Sequence, residues 1–336
     1  MIGYYIHHHG TGHRSRAQSI CTHLDAPVTA LTSLKLDDPH PFEAVLALPR
    51  DDAGGSAHHR TAHGVLHWAP HHDSGLRDRM TLIAQWVADV HPSAAVIDVS
   101  VEVATLLRLL GVPVVVVAMP GERVDTPHTL IYQLADHILA AWPQDLYAPH
   151  WLQPHAHKTT YLGGISRFDG RAPDSSQRVE APTVLTLHGA GGSDLSLDMF
   201  AACAERHPEY CWRTLGVPGG PWARDPWPAI CAADVVIAHA GLGCVADIAA
   251  AQKPAIIIAQ SRPFDEQVAT AQSLARGGLA VVIDDWPDLD AWPALIAAAR
   301  ALEPNRWTRW QTAGAAARAA QAIADVAHRC APNSDA

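Results

Sequence analysis

The sequence predicts an α/β protein made of two doubly wound domains that face a central cleft. The chain has 336 residues, of which 48% are hydrophobic, enough for two domains of ordinary size. Short runs rich in Val, Ile and Ala alternate with longer amphipathic stretches, a pattern typical of parallel strands covered by helices on both faces. A polar, turn-rich segment, Arg167 to Arg178, separates two such arrays. Two successive arrays predict two domains with a cleft between them.

The first array predicts an N-terminal domain over residues 1–165, followed by a linker at 166–182. Its predicted strands are 3–8, 28–31, 44–48, 94–98, 114–118, 137–141 and 158–162. Its predicted helices are 14–23, 76–90 and 101–110.

The second array predicts a C-terminal domain over residues 183–305. Its predicted strands are 183–187, 210–215, 234–238, 255–259 and 279–283, and its predicted helices are 197–206, 244–251, 266–276 and 291–301. A last helix, 306–328, is predicted within the closing segment 306–336. We expect this segment to pack back on the N-terminal domain.

The composition argues against several classes of protein. With 24 Lys and Arg against 34 Asp and Glu, the formal charge is −10, and a nucleic-acid binder would normally carry a basic face. The longest apolar run, 112–119, is far shorter than the roughly 20 residues of a membrane-spanning helix. Peripheral membrane contact stays open but has no support, since the sequence shows no basic amphipathic helix. The chain opens in a predicted strand, and its six cysteines form no CxxC pair, so we expect no signal peptide and a cytoplasmic protein with reduced thiols.

The most informative segment runs from His239 to Asp247 and follows an apolar run, 235–238, that predicts a buried strand. Gly241 and Gly243 lead from this strand into a helix. Backbone N–H groups and the positive end of the helix dipole meet there, which favours a bound phosphate. Asp247 lies within the first turns of the helix and can accept hydrogen bonds from ribose hydroxyls.

Two further segments of the same half predict parts of one ligand site. The loop after strand 183–187 offers a diphosphate cradle, although an ordinary strand-to-helix loop is the alternative; its residues are Gly189, Gly191, Gly192 and Ser193. The loop after strand 255–259 is rich in groups that hold sugar hydroxyls: Asp265, Glu266 and Gln267, with Arg262 as a second diphosphate candidate. In chain order these groups predict a nucleotide-sugar donor site.

The N-terminal half contributes a candidate catalytic pair. Gly10 and Gly12 follow the first strand and would allow a substrate to approach His13 at the start of a helix. Near pH 7 a neutral imidazole can take a proton from an alcohol. Asp98 ends a strand of the same predicted sheet and can orient His13. The alternatives are that His13 and Asp98 only cap their helices.

The segment 58–72 is rich in histidine, and we expect it, with His71 and His72, to take part in acceptor binding. His59 and His63 have i, i+4 spacing, and His67 and His71 repeat it. Neither a cysteine nor a clear carboxylate partner completes a tetrahedral set, so no metal site is expected.

Together these residues resemble glycosyltransferases of the GT-B fold, which has two Rossmann-like domains. The C-terminal half is similar to the donor domain shared by the lipid-II-forming N-acetylglucosaminyltransferase family and the UDP-glycosyltransferases, in which a His-x-Gly-x-x-Ser/Thr-x-x-Glu stretch binds phosphate and ribose. His239 and Gly241 match this pattern, whereas Cys244 replaces Ser or Thr and Asp247 replaces Glu. The resemblance assigns His13 as the catalytic base, with Asp98 behind it.

The resemblance implies an inverting hexosyl- or N-acetylhexosaminyltransferase that needs no metal. Its co-substrate would be a nucleoside-diphosphate sugar, uridine-linked, and its acceptor a small-molecule or lipid-linked hydroxyl. Two alternatives stay open. Gly-Thr-Gly-His13-x-x-Arg also resembles nucleotide-sugar hydrolases of the same fold, in which the histidine activates water. A catalytically silent nucleotide-sugar-binding protein is the other, although the intact His13 and Asp98 argue against it.

Overall fold

The structure, a computed structural model, describes residues 1–8, 11–52, 59–174, 176–189, 191–192 and 195–331. Over these residues the chain forms two parallel sheets, each with helices on its faces. The predicted α/β class with two doubly wound domains is confirmed. Within the same ranges, no helix is long and apolar enough to cross a membrane.

The N-terminal sheet has seven parallel strands among the described residues, in the order β3-β2-β1-β4-β5-β6-β7. The strands are β1 (Ile2–Ile6), β2 (Val28–Thr32), β3 (Ala44–Ala47), β4 (Ala94–Asp98), β5 (Val114–Ala118), β6 (His137–Ala140) and β7 (Thr159–Tyr161). The helices are α1 (Gly12–Cys21), α2 (Ser74–Val90), α3 (Val101–Leu109) and α4 (Thr126–Leu134), followed by a 3-10 helix at His150–Lys158. The strand order reverses between β1 and β4, which is where doubly wound sheets bind ligands.

The C-terminal sheet has five parallel strands in the described chain, in the order β12-β11-β10-β8-β9. The strands are β8 (Thr183–Leu187), β9 (Cys211–Leu215), β10 (Val235–His239), β11 (Ala255–Ile258) and β12 (Val281–Ile283). The helices are α5 (Leu197–Arg206), α6 (Trp227–Ala232), α7 (Leu242–Ala250), α8 (Glu266–Gly277) and α9 (Trp292–Arg300). The strand order here reverses between β10 and β8.

Several helical features differ from the sequence prediction, among them the unpredicted 3-10 helix at His150–Lys158. Helices α4 and α6 were not predicted, because each has a proline in its first turn and is short enough to resemble a loop. The predicted last helix, 306–328, is broken into a 3-10 helix at Pro304–Trp310 and α10 at Ala315–Arg329. Gln311 and Gly314 both adopt left-handed backbone conformations, which end one helix and precede the next.

The last helix returns to the N-terminal domain. Its small buried face, which includes Ala319 and Ile323, packs with Ile20 of α1 and Ile2 of β1 in one apolar cluster. A second cluster runs through both sheets, from Val116 in β5 to Val236 in β10 and their buried neighbours. The two domains therefore share a continuous apolar core, which stabilises their arrangement.

A loop of the C-terminal domain also contacts the N-terminal domain next to the cleft. The Glu122 N–H donates to the Phe264 carbonyl oxygen at 2.8 Å. The Arg123 guanidinium lies 4.5 Å from the Phe264 ring centroid and donates to Glu266 Oε2 at 3.0 Å. Since Arg123 is only 5% exposed, this interdomain ion pair is largely shielded from solvent. We call residues 263–266 the bridging segment.

Gly121→Ala is expected to disturb the bridging segment. Gly121 has φ +99°, and an added Cβ would lie 2.0 Å from the Phe264 carbonyl oxygen, so the two backbones would have to separate. Urea denaturation should show a loss of about 2–4 kcal/mol, the sum of a left-handed backbone cost and a steric displacement. Gly111→Ala is the matched control, because Gly111 has φ +78° but its added Cβ meets no described atom within 4 Å. Equal losses in both variants would contradict the expected interdomain clash.

Candidate active site

The structure brings His13 and Asp98 into direct contact. His13 lies in the first turn of α1, and its Nδ1 is 2.9 Å from Asp98 Oδ1. Asp98 is the last residue of β4 and pairs in register with Ile6, the last residue of β1. The carboxyl ends of these two strands thus place the aspartate beneath the helix that carries the histidine, and Asp98 is completely buried.

Arg16 is a third member of this cluster that the sequence analysis did not identify. Its Nε donates to Asp98 Oδ2 at 2.9 Å and its Nη2 donates to Oδ1 at 2.7 Å, so the pair is bidentate. Burial by itself would raise the Asp98 pKa, but Arg16 and His13 outweigh it and hold that pKa well below its usual range. The only indication of this role in the sequence was the i, i+3 spacing of His13 and Arg16, which places both side chains on one helix face.

The contacts define the roles of the two His13 nitrogens. An ionised carboxylate only accepts hydrogen bonds, so Asp98 favours a proton on His13 Nδ1. Arg16 Nη2 also lies 3.1 Å from Nδ1, but a guanidinium only donates and therefore cannot bond a protonated Nδ1. The lone pair is then on Nε2, which is the arrangement that a general base requires.

A cavity of about 270 Å³ lies between the domains beside His13. Its lining includes Gly12 and the five glycines that were predicted to bind the donor: Gly189, Gly191, Gly192, Gly241 and Gly243. An added Cβ at Gly241 or Gly243 would meet no described atom within 4 Å, so the start of α7 is open to a ligand. Gly10 and Ser193, also predicted site residues, lie outside the described residues.

Two histidines meet at the reversal point of the C-terminal sheet. His188 follows β8 and His239 ends the adjacent β10, and their ring centroids lie 4.6 Å apart at an interplanar angle of 70°. His239 Nδ1 donates to the Ile258 carbonyl oxygen at 2.9 Å. Both histidines line the cavity. Burial, together with the neighbouring His239, lowers the pKa of His188 to about 4, so His188 is neutral near pH 7.

Asp247 lines the cavity but also has partners within the protein. Its Oδ1 accepts from Ser166 Oγ at 2.8 Å, and its Oδ2 accepts from Arg167 Nε at 3.1 Å. Burial raises the Asp247 pKa to about 6, while Arg167 and the two hydrogen bonds oppose that rise. This carboxyl therefore ties the interdomain linker to α7, in addition to any ribose contact.

Arg262 positions the glycine loop after β8. Its Nη2 donates to the carbonyl oxygens of Gly191 at 2.7 Å and Gly192 at 3.1 Å, and to Gln260 Oε1 at 2.9 Å. Arg262 lines the cavity, but its predicted diphosphate contact would have to share the side chain with these three acceptors.

The predicted sugar-binding residues separate into two groups. Gln267 lines the donor-side cavity, and its Oε1 accepts from the Gln260 N–H at 3.0 Å. Glu266 lines this cavity and a second one. Asp265, by contrast, is exposed and lies outside the linings of both cavities among the described residues. Asp265 has a left-handed backbone (φ 55°) and is the residue directly before α8.

The second cavity, of about 510 Å³, lies on the N-terminal side and shares His13, Met119 and Glu266 with the first. Its described lining combines ionisable side chains, among them Asp51, Glu102 and Arg123, with aromatic and aliphatic ones: Tyr5, Trp68, Val101, Val116, Val117, Ile131, Tyr132 and Phe264. His13 therefore stands at the boundary of a glycine-lined cavity and an aromatic one.

The histidine-rich segment reaches the second cavity, but not through the predicted residues. His71 and His72 are exposed and lie outside both described linings, whereas His67 and Trp68 line the second cavity. The backbone N–H groups of His67 and Trp68 both donate to Glu102 Oε1 at 2.9 Å. This contact turns residues 67–68 inward at the start of α3, and the chain then leaves the cavity toward α2.

A carboxylate does complete a cluster around His67. Asp125, the N-cap of α4, accepts from His67 Nε2 at 3.0 Å and bonds His128 Nδ1. His128 Nε2 lies 3.2 Å from Arg123 Nη1, and burial and then Arg123 lower the His128 pKa to about 4. These groups satisfy one another as a hydrogen-bonded network. The prediction that the chain needs no metal stays a prediction.

Trp222 is a second cavity residue that the sequence analysis missed. Its side chain is 61% exposed although it lines the donor-side cavity. An exposed indole at a cavity rim offers a flat face on which a base can stack. Its position between glycines and prolines in the loop after β9 was the only available signal.

One family model and one relative match parts of this chain. Residues 223–329 match the glycosyltransferase family 28 C-terminal domain. A UDP-N-acetylglucosamine--N-acetylmuramyl-(pentapeptide) pyrophosphoryl-undecaprenol N-acetylglucosamine transferase of Sorangium cellulosum (strain So ce56) is 29% identical over 263 residues. That match covers 67% of this chain and 62% of the relative.

Similar solved structures share the fold over nearly the whole chain. The glycosyltransferase of kitacinnamycin has a TM-score of 0.68 at 14% identity, covering 98% of this chain and 99% of its own. CalG4, the calicheamicin glycosyltransferase, has a TM-score of 0.64 at 16% identity, with coverage of 98% and 99%. MurG of Acinetobacter baumannii has a TM-score of 0.60 at 16% identity, with coverage of 96% and 99%.

The fold of this chain is the GT-B fold of these solved glycosyltransferases. More particularly, its C-terminal part carries the glycosyltransferase family 28 C-terminal domain, and the resemblance found in the sequence is confirmed.

Proposed function

We propose that this chain transfers a sugar from a uridine-linked nucleoside-diphosphate sugar to an acceptor hydroxyl, with inversion and without a metal. The observation that carries the proposal is the position of His13, which borders both cavities and has its Nδ1 held by Asp98. A donor in the glycine-lined cavity and an acceptor in the aromatic cavity would meet at this histidine.

The proposed reaction is a direct displacement. His13 Nε2 removes the acceptor hydroxyl proton while the acceptor oxygen forms a bond to the anomeric carbon from the face opposite the diphosphate. The bond from that carbon to the diphosphate oxygen breaks, and its electron pair leaves with the diphosphate. Asp98 stabilises the resulting imidazolium, as the carboxylate does in other histidine-based sites. Arg16 keeps Asp98 ionised for this role.

The C-terminal domain would hold the leaving group. The open glycine backbone at the start of α7 offers N–H groups and the positive end of the helix dipole to the diphosphate. Trp222 would stack on the base, and Glu266 and Gln267 would contact the sugar. The acceptor is either a small molecule or a lipid-linked molecule, since the Sorangium relative is named for an undecaprenol-linked acceptor.

The second cavity favours transfer over hydrolysis. A cavity of roughly 10–15 Å³ is enough to hold a single attacking water, whereas the aromatic cavity beside His13 measures about 510 Å³. A lining that combines aromatic and aliphatic side chains with convergent polar groups is typical of sites that bind organic ligands.

Nucleotide release from a panel of nucleoside-diphosphate sugars, measured with and without acceptors, tests the proposed function. Release that requires an acceptor would support transfer. Release at the same rate without one would indicate the hydrolase, and binding without release from any donor would indicate a catalytically silent protein.

Turnover is expected to persist in excess chelator. The open start of α7 and the glycine loops take the role of a divalent ion in the proposed mechanism. The measurement is the initial rate before and after dialysis against chelator, with readdition of magnesium or zinc. A rate that disappears with chelator and returns with one of these ions would contradict the metal-independent mechanism.

We also propose a cytoplasmic location. Its support is the absence of CxxC pairs in the sequence together with six cysteines that are free in the described structure. Such thiols are typical of a reducing compartment.

A further inference from the structure

His188 is a buried histidine whose ring has no hydrogen-bond partner among the described residues. It is 4% exposed, and both Nδ1 and Nε2 are buried without a partner. The same side chain lines the donor-side cavity. A buried polar group without a partner is uncommon in proteins, and a ligand that supplies the missing partner is one explanation.

The backbone around His188 holds the ring at this place. Leu187 pairs in register with Ala238, so His188 and His239 follow at the same edge of two adjacent strands. The His188 N–H donates to the Leu215 carbonyl oxygen at 2.9 Å. Gly216, with φ +80°, packs so closely that an added Cβ would lie 2.2 Å from the His188 carbonyl oxygen. The backbone that carries the imidazole is therefore held by the sheet.

The cationic side chains of the cavity are already engaged. Among the described lining residues the arginines are Arg16, Arg167 and Arg262. Arg16 donates to Asp98, Arg167 donates to Asp247, and Arg262 donates to two glycine carbonyls and Gln260. An anionic ligand would therefore depend on backbone N–H groups and on the histidines at the end of the sheet.

We propose that His188 donates a hydrogen bond to the diphosphate of the nucleotide sugar and, beside His239, stabilises the diphosphate as it leaves. The inference rests on the proposed function and adds a specific ligand contact to it. A neutral imidazole has one N–H donor, and burial keeps His188 neutral near pH 7. The donor is fixed before the reaction, so it needs no rearrangement when charge develops on the diphosphate oxygen.

The test compares wild type, His188→Leu and His188→Asn by isothermal titration calorimetry with UDP, uridine and inorganic pyrophosphate. Leu is apolar and of similar size, whereas Asn keeps an N–H donor. We expect His188→Leu to weaken UDP and pyrophosphate binding about 10- to 100-fold, the effect of losing a hydrogen bond to a charged group. Uridine binding should stay within about twofold, and His188→Asn should recover part of the UDP affinity.

The outcomes separate this inference from the proposed function. Wild-type UDP affinity in His188→Leu would overturn the His188 contact and leave the proposed function intact. An equal loss of UDP and uridine binding would show a structural role and also overturn it. A wild-type protein that binds neither UDP nor pyrophosphate would overturn both. Thermal unfolding of each variant verifies that the C-terminal domain is folded in the titrations.

Discussion

His13→Ala is expected to lower the rate of sugar transfer by about 10²–10⁴-fold, the usual effect of losing a general base. Donor affinity should change little, because His13 lies on α1 of the N-terminal domain and the glycine loops lie on the C-terminal domain. The measurement is kcat with saturating acceptor, together with the Kd for UDP. In the proposed mechanism the loss should therefore appear in kcat and not in nucleotide binding.

His23→Ala is the matched control for this variant. His23 is exposed and lies just beyond the end of the same helix, so its removal should leave turnover and stability at wild-type values. If His13→Ala turned over at the wild-type rate, the proposed base would be wrong. The fold assignment would stand, and His67, which lines the second cavity, would become the next candidate base.

Asp98→Asn is expected to lower both turnover and stability. Turnover should fall less than in His13→Ala, because the base remains while its imidazolium loses a charged partner. Stability should fall by about 3–5 kcal/mol, since the substitution leaves the buried Arg16 guanidinium without its counter-charge. Urea denaturation and kcat measure the two effects separately. In the double variant His13→Ala with Asp98→Asn, the loss of turnover should be smaller than the sum of the two single losses in activation free energy, because both residues act on one proton transfer.

Two further measurements distinguish the ion pair from the catalytic contact. The double variant Arg16→Met with Asp98→Asn removes both buried charges, so it should regain stability but not turnover. The pH dependence of stability gives the second test. The folded-state pKa of Asp98 lies below its unfolded value. The stabilisation that ionised Asp98 gives to the folded protein is therefore complete above about pH 4 and is lost as the pH falls further. Wild-type stability in Asp98→Asn at pH 7 would contradict the importance of the Arg16 pair.

The sequence by itself determined the two sheets and the place of the main motifs. Alternating apolar runs and amphipathic stretches are local signals, and they predicted β4 and β8 with the bounds that the structure shows. Glycines next to a strand end are local as well, so the open start of α7 and the position of His13 at a sheet edge followed from spacing alone. The proline-containing α4 and α6 were missed because their local signal resembles that of turns.

The tertiary structure alone decided which side chains meet. Arg16 contacts Asp98, 82 residues away, because β1 and β4 are neighbours with Ile6 opposite Asp98. It also decided that His67 faces the second cavity while His71 is exposed, and that Glu266 borders both cavities. Hydrophobic periodicity depends on residues a few positions apart, whereas these contacts depend on strand order, register and the packing of two domains. The path of the chain between distant segments therefore determined the candidate site.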